Sequence, residues 1–133
     1  MKMPKIKICG ICSHNDALKA VELGADALGF NFYHKSKRYI RPDLAQEIAS
    51  QIPKKIWKVG VFVEAQKQEI LSTVNQVGLD TIQLHGSESP EFVSNFRQLR
   101  TIKAINFGDF EQLEILSNWL GSADYLLIDA ASS

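Results

Sequence analysis

Residues 58–86 read KVGVFVEAQKQEILSTVNQVGLDTIQLHG, and two periodicities meet within them. The run VGVFV (59–63) has no polar residue, as in strands buried on both faces of a covered parallel sheet. Beyond Glu64 and Ala65 the pattern changes. Ile70, Leu71, Val74 and Val77 share one face of a helix, and Gly78 can end it. A second short strand pattern, Thr81–Leu84, follows at once. Strand, helix and strand joined by short links form a βαβ unit with parallel strands.

The same alternation extends in both directions. Candidate strands are Lys5–Cys9, Ala27–Phe32, Lys58–Val63, Thr81–Leu84, Thr101–Ile105 and Asp124–Ile128. In PDLAQEIASQI (42–52), Leu44, Ala45, Ile48 and Ile52 share a helical face, and Pro42 suits the first turn. Ser13 followed by Asp16 resembles a capping box that opens the first helix. Gly24 and Gly78 each precede a strand. Trp57 and Trp119 flank strands and read as packing residues. The unit repeats roughly five and a half times, which fits either an open doubly wound sheet or a (β/α)8 barrel. Both architectures place functional groups just beyond strand C-termini. Cys9, the loop 33–39, Glu64, His85, Asn106 and Asp129 all occupy such places.

The 133 residues carry 15 basic and 15 acidic side chains and are 45% apolar, which describes one domain with a substantial core. Zero net charge gives no reason to expect nucleic acid or an anionic membrane as partner. No apolar run approaches the roughly 18 residues of a membrane span. The opening MKMPKIKI lacks the apolar region of a signal peptide. A cytoplasmic protein with reduced thiols is the expectation.

KICGIC (7–12) contains both cysteines of the chain, Cys9 and Cys12. C-x-x-C between a strand and a helix can be a redox pair. A zinc site needs about four ligands, and His14, His34 and His85 stand at no standard spacing from the pair. Alternatively Cys9 acts alone. It ends a strand near a helix N-terminus, whose dipole favours a thiolate that can serve as general base. A plain buried cysteine remains the simplest reading. The loop YHKSKRY (33–39) offers His34, Lys35, Lys37 and Arg38. Arg38 can grip a carboxylate or phosphate bidentately, or the loop is merely solvated. His85 can do acid–base chemistry or be a satisfied structural histidine. Asp129 follows the apolar YLLI (125–128), where it caps a turn or does chemistry.

KICGI, GFNFYHKSKRYI, VGVFV, QLHG and LLID, in this order, resemble the successive signatures of the phosphoribosylanthranilate isomerase family of tryptophan biosynthesis. The resemblance runs through essentially the whole chain. It implies a (β/α)8 barrel and an Amadori rearrangement of an aminoaldose to an aminoketose, with no metal or organic cofactor. It implies that Cys9 is the general base at the sugar C2 proton and Asp129 the general acid at the ring oxygen. Arg38 is then the partner of the anthranilate carboxylate, and His85 a substrate-binding residue. The implied partner is this small phosphosugar.

The family usually has threonine where Cys12 stands, which makes the C-x-x-C the result of one substitution. It usually has asparagine or a similar residue where Glu64 and Ala65 stand. Eight βα units need on the order of 200 residues. The chain reads DAASS just after the sixth strand, before the family's phosphate-binding loops of strands seven and eight. The expectation is one incomplete barrel domain over residues 1–133, with about six strands and five helices. An inactive fragment, a non-catalytic βα interaction module or a thiol–disulfide protein are the alternatives. Open sheet edges can also draw copies of the chain together.

Overall fold

Six parallel strands form one sheet in the order β1-β2-β3-β4-β5-β6, so each strand lies beside the next in sequence. The strands are β1 (Lys7–Cys9), β2 (Ala27–Asn31), β3 (Trp57–Phe62), β4 (Thr81–Leu84), β5 (Arg100–Phe107) and β6 (Tyr125–Ala130). The computed structural model describes residues 6–107, 115–119 and 121–130, with 107, 115, 129 and 130 described by backbone alone. A doubly wound sheet reverses its strand order at a switch point. No reversal occurs here, so the sheet is of the barrel type.

Contacts between distant strands show its curvature. Lys7 Nζ on β1 donates to Gln83 Oε1 on β4 at 2.5 Å. The rings of Trp57 on β3 and Tyr125 on β6 have centroids 5.6 Å apart. Each pair lies three strands apart, a separation of about 14 Å on a flat sheet. Only a sheet curled toward closure brings them together.

Side-chain alternation then makes two cores. The concave face packs Ala27, Val59 and Ile102 against Trp57, Tyr125 and Leu127. The Arg100 guanidinium lies 3.6 Å from the centre of the Trp57 ring on this face. The convex face carries Leu28, Phe30, Phe62, Ile82 and Leu84 under the helices. Burial on both faces explains why these strands are nearly continuous apolar runs.

The helices are α1 (His14–Glu22), α2 (Pro42–Ala49), α3 (Lys67–Val77), α4 (Pro90–Val93) and α5 (Ile115–Asn118). Ser13 caps α1, its Oγ accepting from the Asp16 N–H at 3.1 Å. The Asp16 carboxylate reaches back to the Cys12 N–H at 3.4 Å, one residue beyond the usual capping-box donor. Pro42 occupies the first turn of α2. Gly78 ends α3 in the left-handed region at φ 84°, and its N–H donates to the Val74 carbonyl. Ala45, Ile48, Ile70, Val74 and Val77 are buried.

Several strand limits differ from the sequence reading. β1 begins at Lys7, and Lys5 lies outside the described residues. β2 stops at Asn31, where the chain turns and the Asn31 side chain accepts from the Tyr33 N–H at 2.9 Å. β3 begins at Trp57, which therefore belongs to the sheet. It ends at Phe62, since Glu64 reverses the chain at φ 55°. β5 and β6 run on together to Phe107 and Ala130, which pair in register. Asn106 and Asp129 thus stand inside strands and not after them.

Among the described residues β1 and β6 each pair on one side only. Ile6, Ile8 and Ile128 are correspondingly 48%, 40% and 51% exposed. No described helix is long and apolar enough to cross a membrane.

Candidate active site

Cys9 is the last residue of β1, and its thiol is exposed. Its register partner on β2 is Gly29. A Cβ at Gly29 would lie 3.0 Å from Cys9 Sγ, so the absent side chain leaves the thiol its space. The next residue, Gly10, has φ +85°, and a Cβ there would lie 2.4 Å from Arg38 Cδ. Glycine is therefore required twice over at this position: for the backbone conformation and for the passage of Arg38. Arg38 Nη1 makes a long hydrogen bond of 3.5 Å to the Cys9 carbonyl. The Arg38 guanidinium thus reaches the backbone of the residue that carries the thiol, 29 positions away, by passing over Gly10.

The basic loop that supplies Arg38 has internal order. The Ser36 N–H donates to the Tyr33 carbonyl at 3.0 Å and the Tyr39 N–H to the Ser36 carbonyl at 3.2 Å. Ser36 Oγ accepts from the Arg38 N–H at 3.1 Å. The His34 ring stacks on Tyr39 with centroids 4.6 Å apart. Two turns and a stacked pair thus hold the backbone of Arg38 while its side chain stays exposed.

Cys12 has different surroundings. Its thiol donates to the carbonyls of Gly10 and Arg38, both at 3.4 Å. It ties the Arg38 loop to the turn after β1, and no disulfide joins it to Cys9. Among the described residues no group of three or more His, Cys, Asp or Glu side chains could hold a metal ion.

His85 follows β4, and its N–H donates to the Phe62 carbonyl at 2.9 Å. Its Nδ1 lies 3.3 Å from Gln83 Nε2, and Gln83 Oε1 takes the bond from Lys7 across the sheet. A polar chain from β1 to β4 therefore runs through the concave side. The position of Asp129 is that of a residue paired with Asn106 near the end of β6. Its side chain lies outside the described residues.

A second polar cluster joins the loops after β3 and β4. Lys103 Nζ and Glu88 Oε1 form an ion pair at 3.0 Å, with the two side chains 4% and 3% exposed. Lys103 Nζ also donates to the Gly86 carbonyl at 2.5 Å. The Glu88 carboxylate accepts from the N–H groups of Gly86 at 2.8 Å and Glu64 at 2.9 Å. The Glu64 carboxylate in turn accepts from the Ser87 hydroxyl at 2.6 Å and from the Ser87 N–H. These Ser87 bonds, the hydroxyl first, hold the Glu64 carboxyl below its ordinary value. Glu64 has a left-handed backbone, for which asparagine is better suited.

Sequence reasoning brought Cys9, Arg38 and His85 to this end of the sheet and missed Lys7, Gln83, Glu88 and Lys103. A signal existed for the first two. Lys7 and Gln83 precede Cys9 and His85 by two residues, so each shares a strand face with a candidate site residue. Lys103 sits in TIKAIN, a polar residue inside a strand that is otherwise largely apolar.

The sequence model of the N-(5'phosphoribosyl)anthranilate (PRA) isomerase family matches residues 6–133. A curated relative from Citrifermentans bemidjiense, named N-(5'-phosphoribosyl)anthranilate isomerase, is 45% identical over 130 residues. That match covers 98% of this chain and 62% of the relative, so the chain spans under two thirds of that length. The phosphoribosyl anthranilate isomerase structure from Thermotoga maritima superposes with a TM-score of 0.89 at 38% identity, covering 98% of this chain and 63% of that one. A second structure of such an enzyme, in complex with reduced 1-(o-carboxyphenylamino)-1-deoxyribulose 5-phosphate, gives 0.88 at 39% identity, with coverage of 98% and 66%. On these matches, and on a sheet that places Cys9, Arg38 and His85 at the C-terminal ends of its strands, the chain belongs to the phosphoribosylanthranilate isomerase family.

Proposed function

We propose that this chain carries the acid–base and carboxylate-recognising part of an isomerase. The reaction converts N-(5-phosphoribosyl)anthranilate to 1-(2-carboxyphenylamino)-1-deoxyribulose 5-phosphate in tryptophan biosynthesis. The observation that carries the reading is the Arg38 side chain, which passes over Gly10 and reaches the backbone carbonyl of Cys9, the residue with the exposed thiol. A proton acceptor and a fixed cation at one strand end suit a substrate that holds both an acidic C–H and a carboxylate.

The steps balance without an oxidant or reductant. Asp129 gives a proton to the ring oxygen, and the C1–O bond breaks as the anilino nitrogen forms C1=N⁺. The Cys9 thiolate takes the C2 proton, and that electron pair forms C1=C2 and neutralises the iminium. The enol so formed becomes the C2 ketone as C1 gains a proton and the C2 hydroxyl loses one. Arg38 binds the anthranilate carboxylate throughout, and His85 contacts a sugar oxygen. The chemistry needs no metal or organic cofactor, and it suits a cytoplasmic protein with reduced thiols.

The test is conversion of N-(5-phosphoribosyl)anthranilate by this chain fused to the last two βα units of a relative, which supply the remaining length. The fusion is expected to turn over, Asp129→Asn to lower kcat, and Arg38→Ala to act mainly on KM. Full turnover after Cys9→Ala would overturn the reading.

A further inference from the structure

We propose that Lys7 and Gln83 are positioning residues that hold His85 as its Nε2–H tautomer, so that it meets substrate as a hydrogen-bond donor. The proposal rests on the reading of His85 as a substrate-binding residue. It starts from the polar chain across the concave side: Lys7 Nζ to Gln83 Oε1 at 2.5 Å, then Gln83 Nε2 to His85 Nδ1 at 3.3 Å.

The directions of these bonds follow from the chemistry of each group. A lysine ammonium has three donors and no acceptor. The Gln83 atom that faces it must therefore be the carbonyl oxygen, which fixes the amide's orientation without reference to its two similar ends. The other end is then NH₂, which only donates. It faces His85 Nδ1, so that nitrogen must accept and carries no proton. In a neutral imidazole the proton is then on Nε2. With Nδ1 protonated, two donors would face each other beside an amide that is 3% exposed.

The fold explains why three residues so far apart can do this. Gln83 and His85 are two positions apart and share a face at the end of β4. Lys7 and Cys9 share a face of β1 in the same way. The curl of the sheet brings β1 to β4, so the strand that ends in the proposed base also orients the proposed binding residue opposite. A neutral His85 that donates through Nε2 suits a sugar hydroxyl or carbonyl oxygen. It cannot also accept the C2 proton at that atom, which leaves the base role to Cys9.

The experiment is a long-range ¹H–¹⁵N correlation spectrum of the ¹⁵N-labelled chain fused to the last two βα units of a relative, at about pH 8, above the ordinary histidine range. His85 is assigned by the signals missing from His85→Asn. The wild-type chain is expected to show Nε2 protonated and Nδ1 bare. The deciding variant is Gln83→Glu. Lys7 can still donate to the new carboxylate, but the second oxygen now asks His85 for a proton, so the tautomer should invert to Nδ1–H. Lys7→Met frees the amide to turn and should give a mixture of the two forms. A protonated Nδ1 in the wild type, or an unchanged His85 in Gln83→Glu, overturns the proposal. If Lys7→Met fails to fold, the other two spectra still decide. The spectra are recorded without substrate. Absent turnover would therefore sink the functional reading alone, and a wrong tautomer would sink the relay alone.

Discussion

Arg38 crosses the backbone at Gly10, where any Cβ would meet its Cδ at 2.4 Å. The relationship makes Gly10 a determinant of where the Arg38 side chain runs as well as a turn residue. Gly10→Ala is expected to destabilise the fold by about 1–2 kcal/mol through its left-handed backbone. It should also push Arg38 aside. Urea unfolding reads the first effect, and a rise in KM of the completed enzyme reads the second. An alanine variant with unchanged KM would show that Arg38 does not need this path.

The two cysteines should respond very differently. Cys9→Ala removes the proposed proton acceptor and should lower turnover of the completed barrel by roughly 10²–10⁴-fold. Cys12→Thr keeps a hydrogen-bond donor for the Gly10 and Arg38 carbonyls and should leave turnover almost unchanged. Equal damage from the two substitutions would restore a paired-thiol mechanism. Steady-state rates on matched preparations decide between them.

The Lys103–Glu88 pair is almost fully buried, so removing one partner leaves an uncompensated charge. Lys103→Met or Glu88→Gln should each cost about 3–5 kcal/mol in urea unfolding. The double variant Lys103→Met with Glu88→Gln should cost less than the sum. It should not return to wild type, because Glu88 also holds the N–H groups of Gly86 and Glu64. Additive losses would mean that the two groups act independently.

Glu64 predicts an acid limb of stability. Its carboxyl is lowered in the folded chain from the ordinary 4.5 by Ser87. The stabilisation is therefore complete above pH 4.5 and is lost as pH falls below it toward the folded-state value. Ser87→Ala removes the larger of the Ser87 contacts and should flatten this limb. Chemical denaturation at a series of acid pH values measures it, and an unaltered pH profile in Ser87→Ala would assign the limb to other carboxyls.

Among the described residues β1 and β6 have open edges, with Ile8 and Ile128 exposed beside them, and these should make the isolated chain self-associate. A peptide holding the last two βα units of a relative should reverse this and bring turnover with it. Sedimentation velocity with and without the peptide gives the answer. A monodisperse monomer that turns over alone would show that the edges are tolerated and that the remaining length is dispensable.

Much of the architecture was legible because burial on both faces writes itself as uninterrupted apolar strands. VGVFV and the helix ended by Gly78 needed no tertiary information. Strand ends were harder. Whether Phe107 and Ala130 extend the ladder depends on a neighbouring strand, which local pattern does not contain. The same limit applies to the site. Cys9 and His85 stand at strand ends, where the repeat itself points. Lys7 and Gln83 matter only because the sheet curls, and no spacing along the chain encodes that β1 faces β4. The Glu88–Lys103 pair was missed for another reason: Lys103 is unusual inside its strand, but Glu88 reads in sequence as an ordinary loop charge, and only burial makes the pair costly to separate.

The sequential strand order has a consequence for synthesis. Every new strand finds its neighbour already in place, so assembly can follow the order in which the ribosome delivers the chain. The bond from Lys7 to Gln83 spans 76 positions and is the first described side-chain link between non-adjacent strands that this order can complete. Until the fourth strand emerges, a nascent sheet has no such tie to fix its bend. The arrival of Gln83 is thus the moment at which a growing ribbon can commit to becoming part of a cylinder.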